Sequence, residues 1–278
     1  MALISTCFGQ DAKTDVAQDG ADESGQDGFQ RVESAENAKN ELEVLVSTLK
    51  SNSSEMDKQI AAHKVWMMGE DKDPAVQARR QLRCVKLGCV RPLLRLVDQG
   101  SEETKWRASR ALVQVAFENR QTTETMVSSG VVKVVTGKLK DLEGCTDRVK
   151  EALLQLLSQI CDLLEEEHPA VVASGIVEFV IIILRSITIP PPVKKAAVNV
   201  IFALSLSESG HSALLKLDAA TALVPISKSG KSALNSVRAT LALGNLIGRD
   251  SDGYMPCPGR RRTPPLVERR FSSSQLMN

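Results

Sequence analysis

Aromatic residues are scarce in this 278-residue chain, with Phe, Tyr and Trp together making up 3% of it. A core must then be built from Leu, Val, Ile and Ala. That suits stacked helices and disfavours a β-sandwich, whose strands draw on aromatic side chains. Histidine is scarcer still: His63, His168 and His211 lie far apart, and each is expected to be a solvated or capping side chain near a helix end. The six cysteines (Cys7, Cys84, Cys89, Cys145, Cys161 and Cys257) are scattered, with no C-x-x-C pair to give a zinc-ligand spacing. Free, buried thiols in a reducing compartment are the expectation.

Long apolar runs are missing as well. The longest, residues 179–184, falls far short of the roughly 20 residues a membrane span requires. The opening "MALISTCFGQDAK" has neither a basic n-region nor an adequate apolar h-region, so no secretory signal is read there. No phosphate-cradling glycine loop, nucleophile elbow or H-E-x-x-H occurs. "LLEEEHP" gathers acids with one histidine but has no second ligand cluster, so a solvated helix end before Pro169 is the reading. The formal net charge of +1 gives no overall attraction to nucleic acid or membrane. These absences leave no catalytic residue, metal or cofactor to propose. The expectation is a soluble, monomeric protein of the cytoplasm, the nucleus or both, making no membrane contact.

What is present is segregated charge around a repetitive middle. Residues 1–36 carry eight acids (Asp11, Asp15, Asp19, Asp22, Glu23, Asp27, Glu33 and Glu36) against Lys13 and Arg31. The last thirty residues carry six arginines against three acids, with four prolines. Neither stretch has the apolar content to offset its ordering entropy, so 1–37 and 249–278 are expected to be disordered tails flanking an ordered unit over 38–248. The basic tail holds "RRRTPP" and "RRFSSSQ", which mark Thr263 and Ser272 as phosphorylation candidates. Its arginine clusters lack interleaved aromatics, so nucleic acid is not the expected partner.

Within the middle, "GCVRPLLRLV" at Gly88 recurs as "GVVKVVTGKL" at Gly130 and "GIVEFVIIIL" at Gly175. A fourth copy, "DAATALVPIS", begins at Asp218 with the glycine replaced. About 20 residues after each start comes a second pattern: "ASRALVQVAF", "ALLQLLSQIC", "AAVNVIFALS" and "VRATLALGNL". Both patterns repeat every 42–45 residues, the length of a two- or three-helix solenoid unit. Ala108, Ala111, Leu112, Val115 and Ala116 fall on one helical face, and the alanines allow close helix approach. Val131–Val135, β-prone in isolation, is therefore predicted to be a buried helix. Gly130 and Gly175 suit an inter-helix position needing φ > 0.

Glycine, two apolar residues, a helix, then A-x-x-A-L-x-(Asn/Gln)-apolar resembles the armadillo repeat over roughly residues 55–248. "FENRQTTETMVSSG" supplies the extra segment that favours the three-helix armadillo unit over the two-helix HEAT unit. The resemblance implies an all-α, right-handed solenoid of about four full repeats. Residues 38–51 would add a capping helix whose Leu42, Leu45, Val46 and Leu49 face inward. "FALSLSESGHSALLKLDAATALVPI" is similar to repeats of plant armadillo proteins, including the repeat portion of U-box ubiquitin ligases, although no U-box is recognisable.

Solenoids bind partners along the concave face lined by the last helix of each unit. The resemblance places Gln114, Gln159, Ala203 and Asn245 in the column where importin-α-type armadillo receptors carry their peptide-clamping asparagine. Four residues earlier, where those receptors carry tryptophan, the four copies have Arg110, Gln155, Asn199 and Leu241. Arg107 and Arg110 would repel a basic peptide at one end, which argues against import-receptor function. The expected groove residues are Arg107, Arg110, Gln114, Gln155, Gln159, Asn199 and Asn245, and the expected partner is a protein or extended peptide. The leading expectation is a non-catalytic scaffold, and the alternative is a component of ubiquitin ligation.

Overall fold

The structure is a computed structural model that describes residues 40–68, 73–141, 144–228 and 233–248. Within these residues the chain is all helix and loop, with no strand. Helix α1 (40–50) and α2 (Glu55–Met68) precede four three-helix units. The first unit is α3 (Pro74–Lys86), α4 (Val90–Gln99) and α5 (Glu102–Ala116). The second is α6 (Arg120–Ser128), α7 (Val131–Lys140) and α8 (Asp147–Leu163). A short 3-10 turn, Glu165–Glu167, leads into α9 (His168–Ala173), α10 (Ile176–Arg185) and α11 (Pro191–Ser205). The fourth unit is α12 (Glu208–Lys216), α13 (Ala219–Lys228) and α14 (Ala233–Gly248).

Third helices stack on third helices: α2 on α5, α5 on α8, α8 on α11 and α11 on α14. Second helices form a parallel row, α4 on α7, α7 on α10 and α10 on α13. Between the rows lies one continuous aliphatic core, including Leu93, Leu112, Leu153, Leu157, Ile176 and Ile201. The expected armadillo-type α-solenoid is the observed architecture. The predicted capping helix is present as α1, and its Leu42, Leu45, Val46 and Leu49 are all buried. The tails, with Cys7, Cys257, Thr263 and Ser272, lie outside the described residues.

The β-prone run is helical, as the repeat required. Val131, Val135 and Leu139 are buried along one side of α7. Weak helix propensity costs valine only a few tenths of a kcal/mol, whereas burying each side chain returns roughly 1.5–3 kcal/mol. The chain turns into each second helix through one left-handed residue. Gly88, Gly130 and Gly175 have φ of 78°, 88° and 73°, and Asp218 takes the same place with φ 51°.

First helices satisfy the carbonyls that third helices leave open at their C-termini. Gln81 on α3, buried, donates from Nε2 to the carbonyls of Gln114 (2.8 Å) and Phe117 (3.0 Å). Thr122 and Thr123 on α6 donate to Val115 and Ala116 at 2.7 and 3.2 Å. His168 takes the capping alternative and corrects the solvated helix end read for LLEEEHP, since it is 2% exposed. The turn at Glu165–Glu167 folds it under α8, where Nε2–H donates to the Cys161 carbonyl at 2.7 Å. His211 has the same role against Leu246 at 3.3 Å. His63 is a second correction: it lies within α2, with its ring against Trp66.

Candidate protein-binding face

The third-helix row presents a polar strip because each of these helices buries its aliphatic side against the core and turns its other side away. On α5, Ala108, Ala111, Leu112, Val115 and Ala116 are buried, while Trp106, Arg107, Arg110 and Gln114 are half-buried beside them. The same division on α8 leaves Gln155 and Gln159, on α11 Asn199, and on α14 Asn245 half-buried.

Several of these side chains join one unit to the next. Arg110 Nη1 donates to Gln155 Oε1 at 2.8 Å, and Gln155 Nε2 donates to Glu151 Oε1 at 3.0 Å. Asn199 Oδ1 accepts a hydrogen bond from Arg238 on α14. Asn245 Nδ2 donates to Ser205 Oγ at 2.9 Å, back across to α11. Arg107 instead pairs within its own helix with Glu103 at 2.8 Å. Gln114 is clamped through its backbone carbonyl by Gln81, and Gln159 Oε1 is buried without a hydrogen-bond partner. Ala203, the apolar member of the column, is 1% exposed and packs in the core.

Two features of the strip were not found in the sequence. The first is aromatic. Trp66 on α2 and Trp106 on α5 meet edge to face, with ring centroids 5.5 Å apart. Arg110 lies over Trp66 at 4.9 Å, and Arg148 lies over Trp106 at 3.7 Å. Trp66 stands 44 residues before Arg110, so it occupies the tryptophan column one unit ahead of the four copies compared. The repeat period itself was the available signal; extending it one step toward the N-terminus reaches Trp66.

The second feature is a cleft of about 310 Å³ running across three consecutive third helices. Glu151 and Gln155 of α8, Pro191, Pro192, Lys195, Ala196 and Asn199 of α11, and Asn235 of α14 line it. The Asn235 Oδ1 is buried and has no hydrogen-bond partner. Asn235 lies outside both repeating columns, so periodicity could not select it.

Among the described residues no group of three or more His, Cys, Asp and Glu side chains could hold a metal ion. Cys84, Cys89, Cys145 and Cys161 are free and buried, as the composition indicated. Burial raises the Cys161 thiol, and hydrogen bonding with Cys89 raises Cys84. Such thiols are poor nucleophiles. No single helix among the described residues is long and apolar enough to cross a membrane.

No family model matches the chain, and no curated protein matches it. Solved structures do. A designed armadillo repeat protein, YIII(Dq)4CqI, superposes with TM-score 0.59 at 18% identity, covering 74% of this chain and 99% of its own. Another, YIII(Dq.V1)4CPAF in complex with peptide (KR)4, gives TM-score 0.64 at 16% identity over 81% of this chain and 95% of its own. Computationally designed armadillo repeat proteins for modular peptide recognition match with TM-score 0.58 at 17% identity, over 73% of this chain and 99% of theirs. At these identities the likeness is one of fold.

Proposed function

We propose that this protein is a non-catalytic scaffold that holds an extended segment of a partner protein along its third-helix face. The carrying observation is the cleft spanning α8, α11 and α14, walled by the amide residues Gln155, Asn199 and Asn235. Amide side chains offer both a donor and an acceptor, which is what an extended peptide backbone requires. Structural neighbours solved with a peptide or designed for peptide recognition share the fold and support a peptide-binding use of it.

Peptide-array selection with the full chain, repeated with Asn199→Ala and Asn235→Ala, tests this reading. Hits from the wild-type protein should weaken at least several-fold with both variants. An unchanged hit profile would move the binding surface elsewhere. The ubiquitin-ligation alternative rests on sequence likeness to U-box-associated repeats alone. Incubation with E1, E2 and ubiquitin is expected to give no self-modification, and transfer by this chain would overturn the scaffold assignment.

A further inference from the structure

A tryptophan face attracts a cation only where another cation does not already cover it. In this protein the chain's two tryptophans are both covered by its own arginines, Arg110 on Trp66 and Arg148 on Trp106. Edge contacts crowd the rings further, Trp106 against Trp66 and His63 against Trp66 at 5.3 Å. A lysine or arginine from a peptide would have to displace a resident guanidinium to stack there.

The charges around the rings point the same way. Arg107 and Arg110 come from α5, Arg148 from α8 and Lys195 from α11, against the carboxylates Glu103 and Glu151. Glu103 already serves two cations, Arg107 at 2.8 Å and Arg148 at 3.5 Å. Glu151 accepts only from the neutral Gln155 amide and keeps its charge, so these four cations face two carboxylates. Arg110 hydrogen-bonds the neutral Gln155 oxygen, so no carboxylate neutralises it there. Lys195 is exposed on the wall of the cleft. Nearby acids are paired elsewhere: Glu102 with Lys105 at 2.7 Å, Asp147 with Lys150 at 3.7 Å and Glu41 with Lys64 at 3.6 Å. The strip therefore carries net positive charge beside rings that each already hold one of its own guanidinium groups.

Resting on the groove reading above, we infer that the α5–α8–α11 part of this face takes an acidic, extended segment of a partner protein. Its carboxylates pair with Arg110, Arg148 and Lys195, while its backbone lies along Gln155 and Asn199. Stacking on tryptophan fixes the guanidinium planes and leaves their N–H edges available to carboxylates, which lowers the ordering cost of each new ion pair.

The test titrates the full chain with the peptides (DE)4 and (KR)4 at low ionic strength. Intrinsic fluorescence reports binding, because both tryptophans sit in the strip. The expected result is at least about tenfold tighter binding of (DE)4, falling as salt rises. Arg110→Gln, Arg148→Gln and Lys195→Gln should each weaken (DE)4 several-fold. Lys195 is an exposed side chain, so that variant keeps the test valid should an arginine variant fold poorly. Equal or tighter (KR)4 binding, with hydrogen-exchange protection on α5, α8 and α11, would overturn the acidic assignment and leave the groove reading intact. Protection of those helices by neither peptide would overturn both.

Discussion

Asp218 shows how a repeat position tolerates the loss of its glycine. At φ 51° it sits in the left-handed region, and its side chain offsets part of the strain. Thr221 Oγ1 donates to its Oδ1 at 2.8 Å, and Arg185 Nη2 donates to its carbonyl at 2.9 Å. Asp218→Ala keeps the strain and loses the Thr221 bond, so it is expected to melt below both the parent and Asp218→Gly. At Gly130 a Cβ would meet nothing within 4 Å, so Gly130→Ala isolates the backbone cost of φ 88°. That cost is about 1–2 kcal/mol, a melting shift of roughly 2–8 °C by circular dichroism. A melting point equal to the parent's would show that the turn relaxes. Leu112→Asp is the severe case, because Leu112 is 0% exposed and an unpaired carboxylate would enter the core. A loss above about 4 kcal/mol is expected, and a parent-like melt would place the α5 face wrongly.

Among the elements, the third helices cap one another. Glu55 in the first turn of α2 accepts from the Ser101 backbone N–H at 2.7 Å and from Thr104 Oγ1 at 2.8 Å, closing the N-terminus of α5. One unit on, Glu102 of α5 accepts from the Thr146 N–H at 3.0 Å, closing α8. The N-cap residues Ser101 and Thr146 make no side-chain capping bond of their own, so the acid of the preceding helix supplies the acceptor. These hydrogen bonds hold both carboxyls below the ordinary glutamate value, by the Ser101 N–H first for Glu55 and by Lys105 first for Glu102. A depressed folded pKa stabilises above the unfolded value, near 4.3, and loses that stabilisation as pH falls through the folded value. Melting temperature should therefore drop on acidification below about pH 4.3. Glu55→Gln/Glu102→Gln should melt lower at neutral pH and show a shallower acid slope. An identical slope would assign the acid sensitivity to other carboxylates.

At the scale of the molecule, the acidic residues 1–36 precede α1 in the chain. Glu41 lies 3.6 Å from Lys64, two residues before Trp66 in α2. A flexible segment tethered there would meet the strip at an effective concentration that can reach roughly millimolar. Changing its eight acids to Asn and Gln is expected to tighten (DE)4 binding at low salt, with the difference shrinking as salt screens the contact. Equal affinities at low ionic strength would show that the segment does not compete.

The sequence by itself determined the solenoid. The period of 42–45 residues, the apolar faces and the residues opening each second helix all follow from local pattern, and Val131–Val135 was legible as helix because the repeat outranked its propensity. The polar column on the third helices was legible from the same period, as far as the four copies compared. Only the tertiary structure decided what those columns touch. The stacking of Arg110 and Arg148 on tryptophans from neighbouring helices, the placing of Asn235 in a cleft shared by three units, and the burial of His168 under α8 are contacts between residues of different elements. Pattern along a chain encodes which side of a helix is apolar. Which polar side chain meets which neighbour depends on how two helices sit against each other, and that is fixed only when the layers pack.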